Sequence, residues 1–549
     1  MENELISYAY EQFESGTYDK ALEAFVASYQ KGYEQEWVLE NIYNCYMIGN
    51  ENLFQQTYMQ QAPDAKITYD ECLLDFIPYR DGEYFIFDKE KRIFLGIFSI
   101  PVLKGTKPDS IFNEIEYSAV ALALNWDFRE KSDILTKANE RKIYIVCHDA
   151  RRCMSFWKIP EMIEYLEQIV IFYNFIEYQE YFHKNTSVYL PMIIRGIEED
   201  SKILEKIREE EHQYRLTPEG RNTENVLLSI AIPTANRGNL ILKRLENLLS
   251  MPYDAEIEIS VSKNGSEKYE EEYKQASMIT DARLHYYDHG KVLLTHQSFH
   301  YAIKMCCGKY VLLVSDEDDV IISALEHYLK VLDSQPETSV IRVRSKNYSS
   351  ITDRIFEKRG LKAFKLMFLG QNYISGIMVR RKDFTDDDFL NDAEILADNI
   401  FYRYYPHECW AAELCKRGDA LIENVYLINE GKSVLGDNFF PEYALYQERI
   451  NQLKGMIEFI RFIMRDDIEG AQIGLLEIIS KTGFLLKLTR KLGPKSDKYL
   501  NTVDEATFIC IEAIESFPFN DNQKLKLFRL LEYCYIDLYA FENNMNNEK

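Results

Sequence analysis

The sequence predicts an α/β protein. A central Rossmann-like mixed-sheet domain is preceded by a helical plus α/β region and followed by a helical region. Two short apolar runs rich in β-branched residues, 229–232 and 311–314, are too short for helices and indicate strands buried on both faces. Polar residues follow each run directly, at the sheet edge where ligands of parallel α/β sheets bind. Apolar residues at helical spacing dominate both ends of the chain.

The composition limits the class of protein. With 549 residues, the chain is long enough for about three to four domains with large cores. The formal net charge of -25 argues against a nucleic-acid-binding protein, which needs a basic patch, but it leaves a nucleotide ligand open. The 39 tyrosines and 31 phenylalanines argue against extensive disorder. The 10 cysteines are scattered and form no Cys-x-x-Cys motif, so neither a disulfide framework nor a zinc knuckle is indicated.

The sequence carries no targeting signal that we recognise. The start, 1–4, lacks the basic and apolar regions of a signal peptide. No uncharged apolar run reaches the length of a transmembrane helix. We therefore expect a cytoplasmic protein without a transmembrane segment, and the sequence leaves a homo-oligomer possible.

Residues 1–62 are expected to form paired short helices. Four apolar residues share one face of the first: Leu5, Tyr8, Ala9 and Phe13. The run 16–25 resembles the second half of a tetratricopeptide repeat. One repeat with a partial second is too short to form a solenoid alone. A helical hairpin that caps the next domain and a peptide-binding module therefore both remain open.

Residues 63–200 predict a mixed α/β accessory domain. Strands are expected at 84–87, 92–98, 142–147 and 188–194, and a helix at 161–173. His148 and the residues up to Arg152 follow one of these strands, but no partner motif accompanies them, and a structural role is favoured.

The remaining boundaries follow from charge and periodicity. Residues 201–225 are rich in Glu, Lys and Arg and indicate a solvated helix and charged linker. The central domain is expected at 226–435, a C-terminal helical region at 436–542, and a disordered tail at 543–549.

Consecutive acidic residues follow the second buried strand: Asp316, Glu317, Asp318 and Asp319. Like charges this close repel unless a cation lies among them. Mg²⁺ and Mn²⁺ prefer carboxylate oxygens and keep positions open for substrate phosphates. The cluster therefore predicts a divalent metal site, and a solvated acidic turn is the weaker alternative.

Three motifs in this order resemble the signature of family 2 glycosyltransferases with the GT-A fold: 229–237, 260–266, and 308–310 running into the acidic cluster. The resemblance covers about 226–435. It implies that the loop after the first strand borders the nucleotide of a nucleotide-sugar and that the second loop contacts its base and ribose. It also implies that the acidic residues hold a divalent metal against the diphosphate.

The resemblance assigns residues to roles. The nucleotide-sugar is expected to contact Pro233, Thr234, Asn236, Arg237, Lys263, Asn264, Gly265, Asp316 and Glu317. The metal ligands are expected to be Asp316 and Asp318, with His407 as an additional candidate. Lys263 departs from the family, which commonly has an acid there; it is expected to alter base preference, to meet a phosphate or to signal weak activity.

The resemblance also implies an inverting mechanism, which needs a carboxylate base for the acceptor hydroxyl. Glu408 opens a predicted helix in the matching part of the chain, with Asp398 as the second candidate, although the family's Glu-Asp pair is absent. Asp319 is expected to support the metal ligands or to face the acceptor. The strand and basic pair around Gly376 and Arg380 indicate either an acceptor half-site or ordinary packing.

Between the second loop and the acidic cluster, a helix is expected to lie under the nucleotide, with a histidine or Gln297 near the sugar. The predicted function is metal-dependent, inverting transfer of a sugar from a nucleotide-sugar, most simply a UDP-sugar, to a protein or a surface glycan. The alternative is a non-catalytic interaction scaffold with a degenerate GT-A domain, which Lys263 and the missing Glu-Asp pair favour.

Overall fold

The computed structural model describes residues 2–33, 35–80, 82–100, 119–131, 142–163, 168–265, 268–346, 352–370, 373–431, 442–493 and 498–547. The chain divides into two compact units, Met1–Gln213 and Tyr214–Lys549. Among the described residues, no helix is long and apolar enough to cross a membrane.

The first unit begins with helices, as the sequence predicts: the expected pair, α1 (Glu2–Glu14) and α2 (Tyr18–Gln30), is followed by a longer helix, α3 (Gln35–Gln61). An antiparallel three-stranded sheet follows: β1 (Leu74–Arg80), β2 (Glu83–Asp88) and β3 (Ile93–Ser99). The sequence predicts β2 and β3 but not β1. Tyr43 of α3 stacks on Phe87 of β2 with 3.8 Å between ring centroids, so helices and sheet share a core.

A parallel four-stranded sheet completes this unit in the order β6-β5-β4-β7. Its strands are β4 (Val120–Leu124), β5 (Ile143–Cys147), β6 (Ile169–Phe172) and β7 (Ile193–Arg195). Its helices are α4 (Ala150–Met154), α5 (Phe175–Lys184) and α6 (Glu198–Arg215). The predicted helix at 161–173 is wrong at its end, which forms β6; four consecutive apolar residues there suit a strand in a parallel sheet. Arg152 bonds Asp149 and Asp88, which agrees with the structural role favoured above.

The second unit contains a mixed sheet in the order β10-β9-β8-β11-β15-β13-β16-β12, with β14 paired to β16. Its strands are β8 (Leu228–Thr234), β9 (Ile257–Lys263), β10 (Leu284–Asp288), β11 (Tyr310–Leu313), β12 (Asp319–Val320), β13 (Thr338–Ser345), β14 (Ile355–Glu357), β15 (Ile377–Arg380) and β16 (Asp419–Asn429). The strands from β10 to β11 along this order are parallel, and β15 runs antiparallel between β11 and β13. The predicted buried strands are β8 and β11, whose residues are all buried.

The helices of this unit lie between the strands and after the sheet. Those of the sheet domain are α7 (Gly238–Leu249), α8 (Glu270–Ser277), α9 (Thr295–Lys304), α10 (Ile322–Ser334), α11 (Leu361–Met367), α12 (Arg381–Phe384), α13 (Asp387–Ile395), α14 (Ile400–Tyr404) and α15 (Pro406–Leu414). The C-terminal helices are α16 (Tyr446–Ile463), α17 (Ile468–Leu492), α18 (Tyr499–Ser516) and α19 (Asp521–Asn547).

One hydrophobic core joins the sheet domain to the C-terminal helices. It includes Val311 of β11, Trp410 of α15 and Leu486 of α17. The stretch 201–225 is helical as far as Arg215, in agreement with the expected solvated helix. One expectation needs correction: α19 continues to Asn547, so 543–547 is not a disordered tail.

Candidate functional site

A cavity of about 280 Å³ opens where the two central strands end. Ala231 of β8 lies opposite Leu313 of β11 in parallel register, so the carboxyl ends of both strands reach the same edge of the sheet. The cavity is lined by Pro233, Thr234, Ala235, Arg237, Asn264, Thr295, Ser298, Phe299, Leu313, Ser315, Asp316 and Ile374. Five of them are predicted from the sequence as ligand-binding residues: Pro233, Thr234, Arg237, Asn264 and Asp316.

The loop after β8 is held in shape by Tyr273 of α8. Asn236 has φ of 57°, a left-handed conformation that asparagine adopts more readily than most residues. The backbone N–H of Arg237 then donates to the Tyr273 hydroxyl at 2.9 Å, and that hydroxyl lies 2.8 Å from Thr234 Oγ1. Tyr273 is buried, so its hydroxyl holds Thr234 and Arg237 from the protein interior rather than from the cavity.

Two arginines neutralise most of the acidic cluster. Arg237 pairs with Asp316 at 2.8 Å and with Glu317 at 2.9 Å. Arg244 of α7 pairs with Asp319 and donates to the backbone carbonyl of Glu317 at 2.6 Å. Burial raises the pKa of Asp316 above its ordinary value, and the Arg237 guanidinium opposes that rise. Carboxylates this close repel each other unless a positive charge lies among them. Within the described part of the chain, Arg237 and Arg244 supply such positive charge.

Asp318 is oriented by three donors from other segments. The Tyr373 hydroxyl donates to its Oδ2 at 2.5 Å, the Ser375 hydroxyl donates to the same oxygen, and the Gly431 N–H donates to Oδ1 at 3.0 Å. Burial raises the pKa of Asp318, and the hydrogen bonds from Ser375, Tyr373 and Gly431 oppose that rise. Asp318 therefore ties the end of β11 to segments next to β15 and β16.

The acidic residues meet some but not all of the requirements for a divalent metal site. Across the described ranges, no three His, Cys, Asp or Glu side chains converge in a way that would hold an ion. His407 is buried and does not join Asp316 and Asp318. However, Mg²⁺ at phosphate sites needs only one or two carboxylates besides phosphates and water, and ligating carboxylates usually accept hydrogen bonds. Asp316, which lines the cavity, and the oriented Asp318 fit such an ion, provided that Arg237 gives up its hold on Asp316.

Lys263 does not line the cavity. Its ammonium group lies 2.9 Å from Asp288, 3.1 Å from Glu270 and 5.0 Å from the centre of the Tyr273 ring. Its side chain is only 6% exposed, so it contacts the protein rather than solvent. These contacts hold Lys263 outside the cavity wall, where it supports Tyr273. Its contact with a base or phosphate stays a prediction.

The next two residues hold the loop that precedes α9. The Asn264 side chain donates to the Leu293 carbonyl at 3.0 Å and accepts from the Leu293 N–H at 2.6 Å. The Gly265 N–H donates to the Lys291 carbonyl at 2.9 Å, and a Cβ at this position would lie 2.4 Å from the Lys291 carbonyl carbon. Glycine is required here by close backbone approach. Ser266, part of the same motif, lies outside the described residues.

Helix α9 borders the cavity, but not through the residues that the sequence suggested. Three of its side chains line the cavity: Thr295, Ser298 and Phe299. His296 packs against Tyr402 with 5.7 Å between ring centroids, and His300 packs against Phe384 at 5.0 Å. Gln297 accepts from the Leu294 N–H at 3.2 Å and caps the helix. The histidines and Gln297 therefore have structural contacts.

The predicted bases differ in their surroundings. Glu408 is completely buried and accepts from Arg342 at 2.7 Å. Asp398 is 98% exposed at its side chain and accepts from Arg403 at 2.6 Å. Neither residue lines the cavity. The structure therefore does not bring Glu408 or Asp398 together with the acidic cluster in the cavity wall.

The predicted acceptor strand follows the packing alternative. Gly376 has φ of 95°, and a Cβ there would lie 2.5 Å from Val343 Cγ2. Arg380 is buried and bonds Asp383 at 2.6 Å. Both residues are committed to protein contacts.

Sequence reasoning missed five residues that shape the site: Arg244, Tyr273, Tyr373, Ser375 and Gly431. Arg244 left a readable signal, because it falls on the apolar face of α7 with Ile241, Leu245 and Leu248. A charge on such a face needs a buried partner. The other four left no signal, because their partners are distant in the chain.

The match to a family model agrees with the motif order. Residues 229–388 match the model of Glycosyl transferase family 2. The structure is similar to S. aureus TarS 1-349 in complex with UDP-GlcNAc, at 14% identity and a TM-score of 0.40, over 59% of this chain and 93% of that one. It is also similar to the mannosyltransferase PcManGT from Pyrobaculum calidifontis in complex with GDP-Man and Mn²⁺, at 12% identity and a TM-score of 0.31, over 61% and 92% of the two chains. The comparison with curated proteins gave no significant match.

Proposed function

We propose that the chain is a metal-dependent, inverting glycosyltransferase with the GT-A fold in its central domain, whose residues 229–388 match family 2. In this proposal it transfers a sugar from a nucleotide-sugar, most simply a UDP-sugar, to a protein or a surface glycan. The cavity at the ends of β8 and β11 carries the proposal, because Thr234, Arg237, Asn264 and Asp316 all line it.

The donor diphosphate would lie against Arg237 and Asp316. A guanidinium that lines the cavity can meet phosphate oxygens in a bidentate way. Asp316 and Asp318 would hold the divalent ion, which when bound stabilises negative charge on the leaving diphosphate. The hydroxyls of Tyr373 and Ser375 fix Asp318 for this role.

Inversion also needs a group that accepts the proton of the acceptor hydroxyl. Glu408 is enclosed with Arg342, and Asp319 is paired with Arg244. Asp398 does not line the cavity. Its carboxylate is the one of the three that is accessible to an acceptor from solvent, and it therefore remains the candidate. An Asp398→Asn variant would then bind donor normally but transfer sugar at least 100-fold more slowly, the lower end of the contribution of a general base.

The test of the donor site is calorimetric titration of the full chain with a panel of nucleotide-sugars, with and without Mn²⁺. We expect binding of at least one donor that requires Mn²⁺ and is lost in Asp318→Asn. Slow metal-dependent hydrolysis of the same donor should accompany it. Failure to bind any nucleotide-sugar of the panel would contradict the proposal.

The acceptor can be identified with the same donor. Transfer to candidate proteins and to surface glycans is read by mass spectrometry as the mass added to each. We expect one of the two classes to be modified. Donor hydrolysis that neither class accelerates would contradict both acceptor assignments.

The scaffold alternative loses its main support. Lys263 has close ion pairs with Asp288 and Glu270 and lies behind Tyr273. Its departure from the family therefore has a structural explanation and does not indicate a decayed site.

A further inference from the structure

We propose that Arg237 is a counter-ion that competes with the divalent metal for the carboxylate of Asp316, so that metal binds tightly only when a nucleotide diphosphate binds the Arg237 guanidinium and releases that carboxylate. The inference rests on the proposed function for the existence of the metal site. It adds an order and a coupling to the binding of the two ligands.

The geometry of Arg237 supports this competition. Its two terminal nitrogens contact different carboxylates, Asp316 at 2.8 Å and Glu317 at 2.9 Å. The Asp316 side chain is 3% exposed, so little solvent screens its charge. A metal ion that took the same oxygen of Asp316 would have to displace the guanidinium or share the site with a second positive charge.

The Arg237 side chain can also reach a ligand in the cavity. Its side chain is 29% exposed and lines the cavity. Its backbone is held separately by the Tyr273 hydroxyl, so the side chain can turn without moving the loop. A diphosphate in the cavity offers this guanidinium anionic oxygens, which release Asp316 for the metal. Arg244 has no such freedom, because it also bonds the backbone carbonyls of Asp316 and Glu317.

Coupling of this kind is reciprocal: if the nucleotide strengthens metal binding, the metal strengthens nucleotide binding by the same factor. The wild-type protein should therefore bind Mn²⁺ weakly alone and more tightly with UDP present. Removal of Arg237 should raise the affinity for Mn²⁺ alone and reduce the effect of UDP.

The experiment is an electron paramagnetic resonance titration of Mn²⁺ into the full chain, with and without UDP. For Arg237→Met without UDP, we expect Mn²⁺ affinity to rise by about 5- to 150-fold, the usual range of coupling between sites. The double variant Arg237→Met, Asp316→Asn should lose that gain, which locates the ion at Asp316. Arg461→Met removes the same charge from a C-terminal helix, where Arg461 bonds Ser516, and should leave Mn²⁺ affinity unchanged.

Equal Mn²⁺ affinity in wild type and Arg237→Met would overturn the inference, as would a gain that survives Asp316→Asn. If Arg237→Met does not fold, Arg237→Lys gives the same test with a smaller gain, because a lysine cannot hold both carboxylates in one fork. UDP affinity is measured separately in each protein. A gain in Mn²⁺ affinity without UDP binding would contradict the proposed uridine donor but not the competition. UDP binding without a gain in Mn²⁺ affinity would contradict only the competition.

Discussion

Glu408 and Arg342 form an ion pair of 2.7 Å in which both side chains are buried. Burial raises the pKa of Glu408, and Arg342 opposes that rise. Since removal of one partner leaves an uncompensated buried charge, the pair makes Glu408 a structural residue.

Glu408→Leu should lower the free energy of unfolding by about 3–5 kcal/mol. Glu408→Gln can still accept from Arg342 but leaves the Arg342 charge unbalanced, so it should lower the free energy of unfolding by less than Glu408→Leu does and keep at least half of the transferase activity. Denaturant unfolding and transfer assays measure these effects. A loss of 100-fold or more in Glu408→Gln with normal stability would instead show that Glu408 is the base.

Lys263→Met tests the supporting role of Lys263. Its partners Glu270 and Asp288 are substantially exposed, so the lost ion pairs should cost about 1 kcal/mol or less. Donor affinity, measured by calorimetry, should fall only a few-fold through looser support of Tyr273. A direct phosphate contact would cost about 1.5–3 kcal/mol, or roughly tenfold or more. Lys274→Met on the exposed face of α8 is the control and should have no effect.

Gly431→Ala should disturb the acidic cluster. A Cβ at Gly431 would lie 1.8 Å from the Glu317 carbonyl oxygen, so the backbone around Glu317 must move. We expect donor affinity in the presence of Mn²⁺ to fall at least about tenfold, which corresponds to about 1.4 kcal/mol. Gly483→Ala is the matched control, because its nearest neighbour is 4.0 Å away and alanine favours a helix. Equal donor affinity in the two variants would rule out the steric argument.

His300 should make stability depend on pH. Burial, with smaller contributions from Lys304 and His296, lowers the pKa of His300 from 6.5 to about 4. The unfolded chain therefore binds a proton that the folded chain does not between these values. Stability contributed by neutral His300 is fully present above pH 6.5 and is lost as the pH falls toward 4, by up to about 3 kcal/mol.

Thermal unfolding of wild type and His300→Leu between pH 4.5 and 7.5 measures this effect. The difference in unfolding temperature between the two proteins should favour the variant increasingly as the pH falls. A difference that is constant across this range would contradict the assignment.

The sequence predicted the sheet edge of the site well. The strands β8 and β11 are short, continuous apolar runs. Such runs are typical of strands that are buried on both faces of a parallel sheet. Pro233 and Thr234 end β8, and Arg237, Asn264 and Asp316 come shortly after β8, β9 and β11. The topology alone therefore brings these residues to one cavity.

Long-range partners could not be predicted. Tyr373 and Gly431 meet Asp318 only because β15 and β16 return to the same end of the sheet. Glu408 illustrates the opposite case: it opens helix α15 as predicted, but Arg342 on β13 makes it structural. A local sequence pattern cannot predict which strand packs against a given helix, so the pairing of Glu408 with Arg342 could not be predicted.

The hydrogen bonds between Asn264 and the Leu293 backbone have a consequence for how this enzyme could be altered. The loop between β10 and α9 is held through its own main chain, because the Asn264 side chain bonds the Leu293 carbonyl and N–H. Substitution of neighbouring side chains should therefore leave the loop conformation unchanged. Thr295, Ser298 and Phe299 line the cavity next to this loop. If the proposed donor binds there, we expect substitutions at these three positions to change the donor preference without moving the loop.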